Sequence, residues 1–496
     1  MNSRHKTTKL NKTYLSLSLL LVASPWILLY ITTGLMAHQS VLNSVPCWSD
    51  ELAYWHEILS FTHKGIDFGY YSMNEAIPAN LSFGTHGFGA VSVYALFGKI
   101  FGWKAYSLVI ANAFFMSLAL LLLVALIKIS TKSLFFILIF CLTFTPLILF
   151  SATSMTELLN FSVIILYFGL LQKYMKTEEK KWLVLLILFC TAISFIRIIY
   201  IILFLPLLFK RKNAFKFDTK FLILFTFWMM FSGMLFLLNN RFVSPYPESF
   251  LNELFSGTGI PDFVSNFVSH FVENTLNLIN PVSENVIQVL QRYFLLFFIL
   301  ISLVKSTVIQ SKFKKIDIDY FSVFLILFLF LLVNLAAYDV FDWRDYRVLA
   351  PVLFGCVLYL MLNEKGPAIV SSMVFNLIGI VCLVFSPQVV ESFQAGRYSK
   401  PVENKLLNRI EYTVHPASRF ENTIVIRQFN TNTVLNIPAG IGISYSELLS
   451  DKLKSKYIYS DKKLELMTYK LINYNETGYL YKKKITDIRT KIQEPR

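Results

Sequence analysis

Residues Lys173 to Lys212 read KYMKTEEKKWLVLLILFCTAISFIRIIYIILFLPLLFKRK. From Trp182 to Phe209 the run carries no charge except Arg197. It is too long for one ordinary membrane span of about 20 residues and too short for two full ones. Basic clusters bound it on both sides: Lys173, Lys176, Lys180 and Lys181 before, and Lys210, Arg211, Lys212, Lys216 and Lys220 after. A single tilted helix would leave one cluster on each face of the membrane. Cytoplasmic loops hold the excess of Lys and Arg, so both clusters belong on that side. The stretch therefore reads as a short helical hairpin, with arms of about 14 residues and about 21 Å and Arg197 near the outer turn.

The rest of the chain fits the same membrane setting. Of 496 residues, 55% are apolar and 16% charged, and the mean hydropathy is +0.55. Soluble domains run to about 45–50% apolar and about 25% charged, which argues against an ordinary cytosolic enzyme. The 47 Phe, 25 Tyr and 7 Trp argue against disorder. A net charge of +15 would suggest nucleic acid in a soluble protein, but here the charges mark loops and no nucleic-acid partner is expected. The five cysteines show no paired metal spacing, so neither a zinc site nor a disulfide framework is expected.

Further apolar runs are Leu15–Met36, Ala105–Lys128, Ser133–Phe150, Glu157–Met175, Phe221–Leu238, Val286–Val308, Tyr320–Tyr338, Arg347–Leu362 and Pro367–Phe385. The first reads as a retained span, being too long for a cleaved signal. With the hairpin they make 11 spans, an N-terminus in the cytoplasm and a C-terminus outside. In that arrangement cytoplasmic segments hold 20 Lys and Arg and outer loops hold seven, beside 14 Asp and Glu. The fold class expected is an all-α polytopic membrane domain over 1–386, with long outer loops at 37–104 and 239–285. A small strand-containing extracytoplasmic domain follows over 387–496. Its alternating runs Thr423–Phe429 and Thr433–Ile437 suggest strands joined by an Asn-rich turn.

The first outer loop opens VPCWSDELAYWHEILSF, with adjacent carboxylates Asp50 and Glu51. The spacing of Leu52, Trp55, Ile58 and Leu59 predicts an amphipathic helix along the membrane surface, with Asp50 at or near its N-cap. Asp50 thus has two readings, a cap and a catalytic carboxylate. Trp48, Tyr54, Trp55, Tyr70 and Tyr71 read as an interfacial aromatic belt or as sugar-stacking rings. His56, His63 and His86 lie near acids, but their spacing fits no metal motif. Glu157 reads as a helix-start acid or a functional one, and Arg197 as a snorkelling or a functional cation.

Five stretches together resemble the GT-C fold polytopic glycosyltransferases, the class of protein mannosyltransferases and lipid A aminoarabinose transferases. The first is the D-E pair with ELAYW directly after a first span. The second is GTHGFGAVSVYALFGKIFGW, which keeps His86, Ala95, Leu96, Lys99 and Phe101-Gly102 of the family's H-P-P helix but has Gly87 and Phe88 for the prolines. The third is SATSMTELLNFSVIILYFGLL, similar to the family's acidic residue at the outer end of a span, here Glu157. The fourth is the basic-flanked hairpin with Arg197. The fifth is DWRDYRVLAPVL, which resembles an R-Y-x-x-P motif. Aligned on Pro351 the family arginine falls on Arg347, but Val348 replaces the usual Tyr, so Arg344 and Arg347 both stand for that role.

The resemblance implies transfer of a sugar from a polyprenyl-phosphate donor to a glycan, lipid, polysaccharide or protein outside the bacterial cytoplasmic membrane. Asp50, with Glu51 beside it, would be the catalytic carboxylate. His86, Glu157, Arg197, Arg344, Arg347 and Tyr54 would bind substrate. No cofactor is expected, with a divalent metal as the alternative reading. The chemistry suits these residue types. The phosphate is already a good leaving group, so the enzyme must deprotonate an acceptor hydroxyl and neutralise the departing phosphate. Two further readings are an O-antigen-type polymerase and a non-enzymatic flippase or transporter. The D-E helix speaks against the first. The lack of an internal repeat speaks against the second.

Overall fold

The computed structural model describes residues 12–65, 71–75, 87–208, 219–241, 259–279, 286–308, 317–337 and 343–484. Two compact units divide the chain. One is Met1–Ser44, Leu108–Leu238 and Glu248–Tyr398, and the other is Val45–Ser107, Asn239–Pro247 and Ser399–Arg496.

The first unit is a multi-pass membrane domain. Seven of the helices among the described residues are long and apolar enough to cross a bilayer. They are α1 (Lys12–Tyr30, continued by a π-helical turn to Met36), α4 (Ser107–Leu126), α7 (Glu157–Thr177) and α9 (Thr219–Asn240), then α11 (Val286–Val308), α12 (Ile318–Ala337) and α14 (Gly366–Phe385). Four shorter pieces fall where the other expected spans were placed: α5 (Thr131–Thr143) with α6 (Thr145–Phe150), α8 (Lys180–Ser194), a 3-10 helix (Ile198–Leu208), and α13 (Trp343–Leu362). Two further helices, α10 (Ile260–Ile279) and α15 (Pro387–Gln394), also belong to this unit.

Over its described residues, 182–208, the expected hairpin is present, with one difference from the expected pair of α arms. The second arm is an 11-residue 3-10 helix. At about 2.0 Å per residue it spans about 22 Å, close to the 15-residue α8 at about 1.5 Å per residue. The β-branched run Ile198, Ile199, Ile201, Ile202 and Pro206 disfavour a regular α-helix there. Hydrogen bonds give the direction of this arm. Arg197 reaches Glu157, Tyr200 reaches Asn160, and the Tyr167 hydroxyl donates to the Leu203 carbonyl at 2.8 Å. Numbers rise together on both sides, so the 3-10 arm runs parallel to α7 and α8 returns between them.

Helix α13 also runs parallel to α7. Arg347 faces Glu157 at one end, and at the other Gln172 donates to Asn363 at 2.8 Å. Midway, Gly355 lets the two backbones close up. A Cβ there would stand 2.2 Å from Ile164 Cγ2 and 2.6 Å from Phe168. Three parallel elements therefore begin at one end of the bundle, each carrying an ionic side chain at its start.

The second unit gathers residues 45–107 of the first long loop and the C-terminal segment from Ser399. Its helices are α2 (Ser49–Lys64), α3 (Phe88–Phe101) and a single turn, α16 (Thr431–Val434). Its strands are β1 (Tyr71–Met73), β2 (Thr423–Ile426), β3 (Gly442–Tyr445), β4 (Tyr457–Ser460), β5 (Tyr469–Asn475) and β6 (Gly478–Lys483). They form one sheet in the order β1-β3-β2-β4-β6-β5, parallel through β1, β3, β2 and β4 and antiparallel at β4-β6-β5. Strand β1 comes from the first loop, which is why that loop is not a separate appendage. The expected strand at Thr433–Ile437 is instead the end of α16. Asn430 accepts from the Thr433 N–H and starts a helical turn rather than a hairpin.

Helix α2 is not laid on a membrane surface. Leu52 packs with Leu406, Leu407, Ile424 and Ile443, and the other faces of the helix are covered too. The Trp103 indole donates to the Trp55 carbonyl at 3.1 Å, and Trp55 donates to the Lys104 carbonyl at 2.9 Å. His56 and Ser60, on the side expected to face water, meet the backbone at Ile441 and Gly440. The exposed apolar residues Leu96, Ile100 and Phe101 belong to α3 instead.

Candidate functional site

In the membrane unit the site is built from the starts of α7, the 3-10 arm and α13. Glu157 is the first residue of α7, where an acid complements the positive end of the helix dipole. It is fully buried, and its Oε1 is shared by two arginines. Arg197 Nη2 donates to it at 3.1 Å, and Arg347 Nε forms an ion pair at 3.8 Å. Arg197 is buried, and Arg347 keeps about a quarter of its side chain exposed (24%). The helix-start reading and the functional reading of Glu157 thus fall on one atom group.

The stretch leading into Glu157, from Ser151 to Thr156, is non-helical and buried. Buried irregular backbone needs hydrogen-bond partners. Asn112 of α4 supplies them by donating to the Met155 carbonyl at 2.7 Å, and Ser151 meets Thr32 of the π-helical turn at 3.0 Å. One turn below the ions, the Tyr200 hydroxyl donates to Asn160 Oδ1 at 2.9 Å. Asn160 Nδ2 in turn donates to the Thr156 carbonyl at 3.1 Å.

In the second unit α2 starts at Ser49. Its N-cap is Trp48, so Asp50 is the second helical residue rather than the cap. Glu51 does the capping work, its Oε2 accepting from the Cys47 N–H at 2.9 Å and the Trp48 N–H at 3.2 Å. Glu51 is fully buried in that role, and Asp50 is half-buried. Tyr54 is buried within this unit. His56 is buried with its Nε2 2.7 Å from the Ile441 carbonyl, and burial holds the imidazole down from 6.5 to about 4. It stays neutral as an Nε2–H donor, unsuited to carrying charge at ordinary pH.

Arg344 lies in α13, with its side chain outside the described residues, as is the whole of His86. Within the membrane unit the structure therefore joins Glu157, Arg197 and Arg347. Asp50, Glu51 and Tyr54 belong to the second unit.

No family model and no curated protein matches this chain. Two solved structures of oligosaccharyltransferase from Archaeoglobus fulgidus are similar to it. One is tethered by a disulfide to an acceptor peptide containing the NVT sequon; it is 12% identical, covers 90% of this chain and 69% of that chain, and has a TM-score of 0.45. The other, AglB with an inhibitory peptide and a dolichol-phosphate, has the same identity and coverage and a TM-score of 0.49.

Sequence reasoning missed Asn112, Asn160 and Tyr200. Each is a neutral polar residue in an apolar run, and the matching i, i+3 spacing of Glu157 with Asn160 and of Arg197 with Tyr200 was the available signal.

Proposed function

We propose that this protein is a membrane glycosyltransferase of GT-C type that moves a sugar from a polyprenyl-phosphate donor to an extracytoplasmic acceptor. The observation that carries the proposal is Glu157 held between Arg197 and Arg347 where three parallel elements begin. Buried cations in a bilayer are costly and mark function more often than structure. Guanidinium groups fit a phosphate through a bidentate fork, and the carboxylate between them fixes their direction.

In the step proposed, the acceptor hydroxyl oxygen attacks the anomeric carbon. The bond from that carbon to the phosphate oxygen breaks, and its electron pair leaves with the polyprenyl phosphate. Arg197 and Arg347 neutralise the departing phosphate. Asp50 takes the proton released by the hydroxyl. Direct displacement inverts the anomeric centre. Glu51 is kept for the helix start, because both N–H bonds it accepts would be weakened on protonation. Arg344, His86 and Tyr54 remain candidate donor or acceptor contacts. We place the chain in a bacterial cytoplasmic membrane with its N-terminus inside, on the 20-to-seven bias of Lys and Arg.

The test is transfer in membranes enriched in the protein, given a radiolabelled polyprenyl-phosphate sugar. Label should leave the lipid fraction as free polyprenyl phosphate accumulates, and the product should have the opposite anomeric configuration. Movement of intact donor across the bilayer without release of polyprenyl phosphate would favour a flippase instead. Lengthening of an existing glycan without use of monosaccharide donor would favour a polymerase.

A further inference from the structure

We infer that Tyr200 and Asn160 form a positioning pair that aims Arg197, and that donor affinity depends on their hydrogen bond. The inference rests on the reading that Arg197 holds the donor phosphate.

The Tyr200 N–H donates to the Arg197 carbonyl at 3.0 Å, so Tyr200 lies one 3-10 turn beyond Arg197 at the start of the arm. Residues three apart on an α-helix share a face, so Asn160 lies beneath Glu157. The result is two matched rungs between α7 and the 3-10 arm: Glu157 to Arg197 at 3.1 Å and Asn160 to Tyr200 at 2.9 Å. Tyr200 and Asn160 are both buried. The lower rung is rigid because Asn160 uses both ends of its amide. Its Oδ1 accepts from Tyr200, and its Nδ2 donates to the Thr156 carbonyl directly before Glu157. The 3-10 arm needs such an anchor. Its internal hydrogen-bond geometry is poorer than that of an α-helix, and runs beyond a few residues are uncommon. Arg197 stands at the junction of α8 and this arm, where a small slide of the arm would displace the guanidinium.

The experiment measures donor and acceptor KM and kcat for wild type, Tyr200→Phe, Arg197→Ala and the double variant, with melting temperatures alongside. Tyr200→Phe should raise donor KM by roughly tenfold or more, since misplacement by about 1 Å can cost as much as a hundredfold. Acceptor KM should not change. In the Arg197→Ala background the same substitution should add nothing, because the group it aims is gone. Asn160→Ala approaches the bond from its other end and should reproduce the donor effect, which covers a poorly folded tyrosine variant. An equal donor effect of Tyr200→Phe in both backgrounds, or none in either, with Arg197→Ala impaired, would overturn the positioning role and leave the phosphate reading intact. A normal donor KM for Arg197→Ala would remove the phosphate reading, and the inference with it.

Discussion

Gly355→Ala is expected to disturb the candidate site from two turns away. The added Cβ would stand 2.2 Å from Ile164 Cγ2 and 2.6 Å from the Phe168 ring. Ordinary contact begins at about 3.4 Å, so α13 must back away from α7 by about 1.2 Å or Ile164 must yield. Ile164 sits in α7, where a β-branched side chain has one strongly preferred rotamer, so it yields poorly. Overpacking of this kind costs about 1–3 kcal/mol. The same retreat would lengthen the Arg347–Glu157 contact, already 3.8 Å. The assay is paired: thermal unfolding of the detergent-solubilised protein, and binding of polyprenyl phosphate. The melting temperature should drop by a few degrees and phosphate affinity should weaken. Adding Ile164→Ala should recover part of both by removing the closer clash. Gly355→Ala with unchanged melting and unchanged affinity would refute the close seating of α13 on α7.

Three further outcomes follow from individual groups. Asp50→Asn should cut transfer by roughly 10²–10⁴-fold with normal membrane expression, since Asp50 is not the residue that caps α2; Glu51→Gln, in contrast, should lower stability more than rate. His56 stays neutral when folded but takes a proton at about pH 6.5 when unfolded, so stability should fall as pH drops from 6.5 to about 4 and change no further below. That interval corresponds to roughly 3 kcal/mol, and the difference in pH-dependent melting between wild type and His56→Gln isolates it. A cysteine at Ile198 in a chain lacking its five native cysteines should react with an impermeant thiol reagent added from outside. One at Asn213 should react only from the cytoplasmic side; the reverse pattern would invert the topology.

Charge and length made the membrane domain legible in the sequence. Lysine clusters flanking Trp182–Phe209 required a hairpin; Glu157 and Arg347 stood out as ions at the start of apolar runs, and Arg197 as the lone ion inside one. What the sequence did not carry was their common partner, because residues 157, 197 and 347 meet only through the parallel course of three elements. The second unit was less legible still. The bond between His56 and the Ile441 carbonyl joins positions 385 residues apart, and so α2 was expected on a membrane surface rather than inside a mixed sheet domain. Strand β1 is three residues long, too short for a period of two to declare it. The 3-10 form of the hairpin's second arm is set by packing; Pro206 and the β-branched run disfavour a regular α-helix without by themselves naming the form taken instead.

The central claim, that Arg197 and Arg347 receive the phosphate of a lipid-linked donor, is tested most directly by equilibrium binding of polyprenyl phosphate to the purified protein. Arg347→Ala and Arg197→Ala should each weaken binding by tenfold or more, on the order of the 1.5–3 kcal/mol of a charged hydrogen bond. Arg347→Lys should restore only part of it, because an ammonium lacks the bidentate fork. Wild-type affinity in both alanine variants would contradict the account.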